Sequence, residues 1–189
     1  MVSFEDSIYI QKVLDGKTSS FTYLVEKYKD MVYTVIFRIL RNHEDAEEVA
    51  QDSFIKAYNN LHAFEGKSKF STWLYTIAYR NAISKTKLKK VETVSEDFLL
   101  EKFDDSDFQQ LDELQLEEQQ IFVKQAISSL PEIDSAIVTL FYMDDCSIQE
   151  IAEITTLSES NVKVKLYRAR KELKVKLESL LQHELKSIL

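Results

Sequence analysis

The stretch SIQEIAEITTLSESNVKVKLYRARKEL, residues 147–173, predicts two short amphipathic helices joined by a tight turn. In its first half Ile148, Ile151 and Ala152 recur at helical spacing, and Ser158 is a good N-cap for the second helix. The second helix carries apolar residues at i, i+4, i+7 and i+11, a continuous stripe that predicts a buried face. That stripe consists of Val162, Leu166, Ala169 and Leu173.

The opposite face of the second helix is polar and basic. Asn161, Lys165 and Arg168 lie on it, and Lys163, Arg170 and Lys171 flank it. A helix N-terminus and cations attract phosphates, and Asn or Arg can bond to base edges in the major groove. A solvated basic face on an ordinary helical hairpin is the alternative, but the two-helix pattern favours DNA binding.

The composition favours an all-α fold. Two glycines and one proline in 189 residues leave little material for hairpin turns, and the apolar spacing is helical almost throughout.

The only cysteine, Cys146, excludes an internal disulfide and is interpreted as a small packing residue. The three histidines lack ligand spacing and no catalytic motif is present, so we predict no metal, no cofactor and no enzyme activity. No signal-sequence pattern or membrane-length apolar run occurs, which predicts a cytoplasmic protein without membrane insertion.

Charge is segregated along the chain. The formal net charge is −8, which is unexpected for a DNA-binding protein. Residues 92–118 hold eleven acids and one base, so the remainder of the chain is close to +2. Residues 80–90 hold five bases and no acid, and residues 163–176 hold seven bases and one acid. The acidic segment therefore masks two basic ones.

Apolar periodicity divides the chain into two helical units. We predict a first domain over residues 5–90, a flexible acidic linker over 91–113 and a second domain over 114–189. In the first domain a helix over 46–61 is expected to begin at an Asp45 N-cap.

Aromatic and basic residues alternate between residues 63 and 90. Such a mixture suits single-stranded nucleic acid, because rings stack on unpaired bases while cations follow the backbone. The alternative is that the aromatic residues are core, and for Trp73, one helical turn from Ile77, that alternative is slightly favoured. The mixture contains Phe64, Lys67, Lys69, Phe70, Trp73, Tyr75, Tyr79, Arg80, Lys85 and Lys87.

Three motifs together resemble the extracytoplasmic-function (ECF) group of the sigma-70 family. The second conserved region of bacterial sigma factors resembles DAEEVAQDSFIKAYNNL at 45–61 and FEGKSKFSTWLYTIAYRN at 64–81. Their fourth region resembles LPEIDSAIVTLFYMDDCSIQEIAEITTLSESNVKVKLYRARKEL at 130–173. The resemblance covers nearly the whole chain, and the ECF group is indicated because no domain resembles the third region.

The resemblance implies three binding surfaces. One docks on core RNA polymerase and comprises Asp45, Glu48, Gln51, Asp52 and Ile55. A second surface would bind the −10 element, both its single non-template strand and the upstream edge of the melted region. This surface comprises Phe64, Lys67, Ser68, Lys69, Phe70, Trp73, Arg80, Asn81 and Lys85. The double-stranded −35 element would be read by Ser158, Glu159, Ser160, Asn161, Lys163, Lys165 and Arg168.

The resemblance also implies core RNA polymerase, promoter DNA and an anti-sigma factor as partners. Two other functions remain open: a helix-turn-helix regulator that acts without core polymerase, and a helical protein-interaction adaptor.

Many relatives place Gly where this chain has Thr156, so a turn with positive φ would be strained here. The two promoter elements lie about 85 Å apart, whereas a relaxed linker of this length spans only roughly 30 Å. The free protein is therefore predicted to bind promoter DNA poorly.

Overall fold

Helices make up every regular element in the parts of the chain that the computed structural model describes, residues 3–92 and 123–188. The N-terminal unit contains α1 (Phe4–Leu14), α2 (Phe21–Leu40), α3 (His43–Asn59) and α4 (Phe70–Glu92), with short 3₁₀ turns at Thr18–Ser20 and Leu61–Ala63. The C-terminal unit contains a helical stretch at 123–128, then α5 (Glu132–Met143), α6 (Ile148–Thr155) and α7 (Glu159–Ile188). The all-α class is confirmed. The predicted acidic linker lies outside the described residues from residue 93 onward.

Helix α2 forms the centre of the N-terminal unit and packs against α1, α3 and α4. Its Leu24, Val32, Val35 and Ile36 are fully buried, because apolar residues recur along it at helical spacing.

The predicted start of α3 is wrong by three residues. Asn42 is the N-cap, and its side-chain oxygen accepts a hydrogen bond of 2.9 Å from the backbone N–H of Asp45. Asp45 therefore lies in the first helical turn, where its negative charge suits the N-terminal end of the helix dipole.

The helical hairpin predicted at 147–173 is confirmed. Ser147 and Glu150 form a capping box at the start of α6: the Glu150 N–H donates to Ser147 Oγ at 3.2 Å, and the Ser147 N–H to Glu150 Oε2 at 2.8 Å. Ser158 Oγ likewise accepts from the Asn161 N–H at 3.2 Å, as expected of the N-cap of α7. The predicted stripe of α7 faces the core, with Val162, Leu166 and Ala169 buried and Leu173 partly buried.

The turn of this hairpin has the conformation in which Thr156 is strained. Thr156 ends α6 in the left-handed region, with φ of 59° and ψ of 22°. A β-branched side chain is disfavoured there, at a cost of about 1–2 kcal/mol.

Replacing Thr156 by glycine is therefore expected to stabilise the protein. Glycine removes the strain and loses about 0.5–1 kcal/mol through its greater freedom in the unfolded chain, so we expect a net gain of roughly 0.5–1 kcal/mol. Denaturant unfolding measures this change. As a control, Glu153→Gly on the exposed side of α6 should lower stability by about 1 kcal/mol, since its backbone is helical.

The two units pack against each other through one continuous core. α2 lies against α5, and α4 lies against α6. Leu74 and Ala78 of α4 and Ile137 and Ile151 of the C-terminal unit are fully buried members of the same apolar cluster. Sequence periodicity placed Ile151 in an apolar helical pattern but gave no indication that the inner faces of the two units meet.

Candidate nucleic-acid interface

The predicted duplex-reading face of α7 points to solvent. Asn161, Lys163 and Arg168 are exposed, as are the three residues Ser158–Ser160 that precede and begin the helix. The buried stripe on the other side of α7 fixes this orientation. The exposed helix N-terminus, amide and guanidinium can therefore approach a DNA groove together.

One predicted contact on this face already has a protein partner. Lys165 Nζ lies 2.6 Å from Asp134 Oδ1, and the Lys165 side chain is 30% exposed. The pair joins α7 to the first turn of α5, so Lys165 has a structural role in addition to any DNA contact.

Aromatic residues position one of the flanking cations, which the sequence did not reveal. Arg170 lies over the rings of Phe141 and Tyr142, with distances of 5.6 and 5.7 Å to the ring centroids. Its Nε also donates to the Tyr142 hydroxyl at 2.6 Å. These contacts hold Arg170 against the end of α5. Its charge therefore contributes to the field around the reading face from a fixed position.

The loop between the second 3₁₀ turn and α4 is built around three aromatic rings. Phe64 lies with its ring centroid 5.6 Å from that of Phe70 and 5.3 Å from that of Trp73. Phe70 is fully buried, whereas Phe64 and Trp73 are partly buried. Phe70 is the buried member of the group and packs against both other rings. Only Phe64 and Trp73 expose surface on which an unpaired base could stack.

The polar residues of the same loop differ in their surroundings. Lys67 is exposed and forms an ion pair with Glu65, and Ser68 is half-buried. Lys69 Nζ lies 2.9 Å from Glu150 Oε1 of α6, and this hydrogen-bonded contact raises the pKa of Lys69. Thus one loop cation faces solvent and another is held by the C-terminal unit.

Further along α4, Arg80 is exposed but Asn81 and Lys85 contact α3. Asn81 Oδ1 accepts from Lys56 Nζ at 2.7 Å, and its amide nitrogen donates to Ser53 Oγ at 2.9 Å. Lys85 Nζ lies 2.7 Å from Glu48 Oε2, and this hydrogen bond raises the pKa of Lys85.

Lys85 also lies 3.6 Å from Asp45 Oδ1, a contact that matters because Asp45 and Glu48 belong to the predicted polymerase-docking face. The predicted DNA and polymerase surfaces therefore meet along the α3–α4 groove.

The predicted docking face of α3 is exposed over most of its length. Glu48, Gln51, Asp52 and Ile55 all face solvent, whereas the side chain of Asp45 is 14% exposed. Ile55 is 57% exposed although it is apolar, which makes it the natural anchor for a protein partner.

Cys146 is buried, as expected of a packing residue. Burial and the neighbouring Asp144 carboxylate raise the pKa of its thiol to about 12, so it is a poor nucleophile in the folded chain.

Within residues 3–92 and 123–188 we find no cluster of His, Cys, Asp and Glu side chains arranged to hold a metal ion. None of the described helices combines the length and the apolar character needed to cross a membrane.

Comparison with known families matches both units. The model described as Sigma-70 region 2 matches residues 24–90, and the one described as Sigma-70, region 4 matches residues 123–173. The first match contains α3, the aromatic loop and most of α4, and the second contains the helical hairpin.

Individual relatives match over most of the chain. The ECF RNA polymerase sigma factor SigW of Bacillus subtilis is 31% identical, over 90% of this chain and 96% of its own length. The ECF RNA polymerase sigma-E factor of Haemophilus influenzae is 30% identical, over 93% of this chain and 97% of its own. Among solved structures, the sigma factor RpoE of Bartonella quintana, in complex with the anti-sigma factor NepR, has a similar fold. The TM-score is 0.68 with 22% identity, covering 84% of this chain and 96% of that one.

Proposed function

This chain belongs to the ECF group of RNA polymerase sigma factors, and we propose that it directs core RNA polymerase to promoters by binding DNA at two separate points. The similarity to ECF sigma factors over 90% and 93% of the chain supports this function most strongly. The proposed domains are residues 5–90, which bind polymerase and the −10 element, and residues 114–189, which read the −35 element, with 91–113 between them.

Duplex reading at the −35 element is assigned to the N-terminal half of α7. Its exposed Asn161 and Arg168 are suited to bond base edges, and Lys163 to neutralise phosphate. Ser158–Ser160 present the N-terminus of α7 to the DNA backbone. Lys165 contributes if DNA competes successfully with Asp134 for its ammonium group.

Strand separation at the −10 element is assigned to the aromatic loop. A base that leaves the duplex can stack on Phe64 or Trp73 while Lys67, Lys69 and Arg80 neutralise the strand's phosphates. Binding the unpaired base shifts the equilibrium from closed to open DNA, so melting needs no ATP and no catalytic residue. The chain is accordingly proposed to be a non-enzymatic subunit.

Docking on core polymerase is assigned to α3. Ile55 supplies an apolar anchor, and Glu48, Gln51 and Asp52 supply a polar and acidic rim. Because core polymerase and the chromosome occupy the cytoplasm of bacteria, the proposed function places the protein there. An anti-sigma factor is proposed as a further partner, in line with the complex of the Bartonella quintana sigma factor.

A transcription assay tests this function. Purified chain is added to bacterial core polymerase with a pool of genomic promoter fragments, and run-off RNA is sequenced. We expect new start sites that share −35 and −10 motifs. Promoter-specific DNA binding by the chain without initiation would instead support the polymerase-independent regulator, and neither activity would support the adaptor.

A further inference from the structure

Two large apolar side chains lie among the polar residues on the outer face of α7. Val164 is 43% exposed and Tyr167 is 58% exposed. The buried stripe of α7 lies on the opposite side of the helix, so packing into the core does not explain either residue. The ammonium group of Lys171 lies 5.1 Å from the centre of the Tyr167 ring, which gives that ring a partner on its own helix. Val164 is the more informative of the two because of its position.

Val164 lies between the two residues that are assigned to base reading. Asn161, Val164 and Arg168 are spaced i, i+3 and i+7, which places them in one line along the helix surface. All three side chains are exposed. Along the helix axis Val164 is about 4.5 Å from Asn161 and about 6 Å from Arg168. A DNA duplex that contacts both Asn161 and Arg168 therefore also meets Val164.

The charges beside this line indicate which partner covers it. Residues 163–176 hold seven bases and one acid, so the surroundings of Val164 suit an anionic polymer. The major groove of DNA is wide enough for a helix, and it presents phosphates to flanking cations and base edges to the residues between them. The apolar group that base edges present in this groove is the 5-methyl group of thymine.

We propose that Val164 recognises the 5-methyl group of a thymine in the −35 element, between the base pairs that Asn161 and Arg168 contact. The proposal rests on the function assigned to α7 and adds a base preference to it. The amide of Asn161 suits adenine and the guanidinium of Arg168 suits guanine, whereas the valine side chain offers only apolar contact. The −35 element should therefore contain a thymine, on either strand, within about two base pairs of the adenine that Asn161 contacts.

Replacing single thymines by deoxyuridine tests this contact, because deoxyuridine lacks the 5-methyl group and keeps every hydrogen-bonding atom of the base. The template is the most active promoter found by sequencing run-off RNA, and the protein is the full chain bound to core polymerase. Each thymine of the −35 element is replaced in turn, on both strands, and run-off RNA is measured at limiting holoenzyme. We expect one position at which the wild type loses about two- to fourfold, the effect of one buried methyl group.

Val164→Ala assigns the sensitive position to Val164. The substitution removes the two methyl groups that make the contact, so this holoenzyme should initiate equally well with thymine and with deoxyuridine there. Val175→Ala is the matched control, because Val175 is 65% exposed on α7 beyond the part assigned to DNA reading. This control should distinguish the two templates as the wild type does. Comparing two templates within each variant cancels any general loss of activity or stability.

A 5-methylcytosine template tests the same contact by adding a methyl group. At the sensitive position the T·A pair is replaced by a C·G pair that carries either cytosine or 5-methylcytosine. The methyl group of 5-methylcytosine occupies the place in the groove that the thymine methyl group had. We expect the wild type to prefer 5-methylcytosine over cytosine about two- to fourfold, and Val164→Ala to show no preference.

Four results overturn the inference. If the wild type initiates at specific promoters but never distinguishes thymine from deoxyuridine, no methyl group is read and the sigma function stands. If Val164→Ala is impaired although the wild type does not distinguish the templates, a protein partner covers this face instead of a base. Equal sensitivity in the wild type and in Val164→Ala assigns the methyl contact to another residue. If the chain supports no promoter-dependent initiation, the function assigned to α7 fails, and the base preference fails with it.

Discussion

Replacing Asn161 and Arg168 together by alanine is expected to reduce promoter-dependent transcription by a hundredfold or more. Both side chains are exposed on the outer face of α7, opposite its buried stripe. A good hydrogen-bonded contact to a base contributes about 1–3 kcal/mol, so each single variant should lose about tenfold and the two losses should multiply. Run-off transcription at fixed salt measures the loss.

Lys174→Ala provides the matched control on the same helix. Lys174 is 77% exposed and lies beyond the part of α7 assigned to DNA reading, next to Glu178. Its removal takes away one positive charge, as Arg168→Ala does, and should change transcription less than twofold. If the double variant initiates as well as the wild type, α7 does not read the promoter and the adaptor function gains support.

The helical hairpin could be predicted from sequence because its determinants are local. Ser147, Glu150 and Ser158 cap helices through hydrogen bonds to residues three positions away. The stripe from Val162 to Ala169 depends only on helical period. Such features are determined within one or two turns, so neither the second unit nor a partner is needed to identify them.

Contacts between the units could not be predicted in this way. Glu150 has an evident local role in the capping box, and nothing near it in sequence indicates Lys69, which lies in the other unit. Arg38 donates to Ser128 at 2.6 Å across 90 positions of sequence, and its spacing on α2 gives only its helix face. The burial of Phe70 could not be predicted for a related reason, since one pattern fits both a ring in the core and a ring that binds a base.

The packing of the two units against each other limits how the chain can bind two promoter elements at the same time. With the units packed together, the −35-reading face is accessible while Lys69 is occupied. Simultaneous binding of two elements about 85 Å apart requires the shared core to separate. That separation exposes apolar surface and is unfavourable in water, so a third surface must compensate for it. We assign that role to core polymerase, which is the reason to expect specificity only in the complex.

Ile55→Asp is expected to weaken binding to core polymerase by about a hundredfold, and Ile55→Ala by about tenfold. Ile55 is 57% exposed on α3 between acidic and polar neighbours, and truncating an apolar contact residue of this kind in an interface costs about 1–2 kcal/mol, which is about tenfold in affinity. A buried carboxylate without a partner costs more than the loss of the three side-chain carbons that Ile55→Ala removes, so the effect of Asp is larger. Fluorescence anisotropy of labelled chain titrated with core polymerase measures both.

An unfolding measurement and a control substitution distinguish the loss of a polymerase contact from damage to the fold. Because Ile55 is exposed, both variants should unfold within about 0.5 kcal/mol of the wild type. Val175→Asp is the matched control, since Val175 is 65% exposed on α7, outside the proposed docking face, and should leave polymerase affinity unchanged. If Ile55→Asp binds polymerase as tightly as the wild type, the exposed face of α3 is not the docking surface. The ion pairs of Glu48 and Asp45 with Lys85 would then serve only to join α3 to α4.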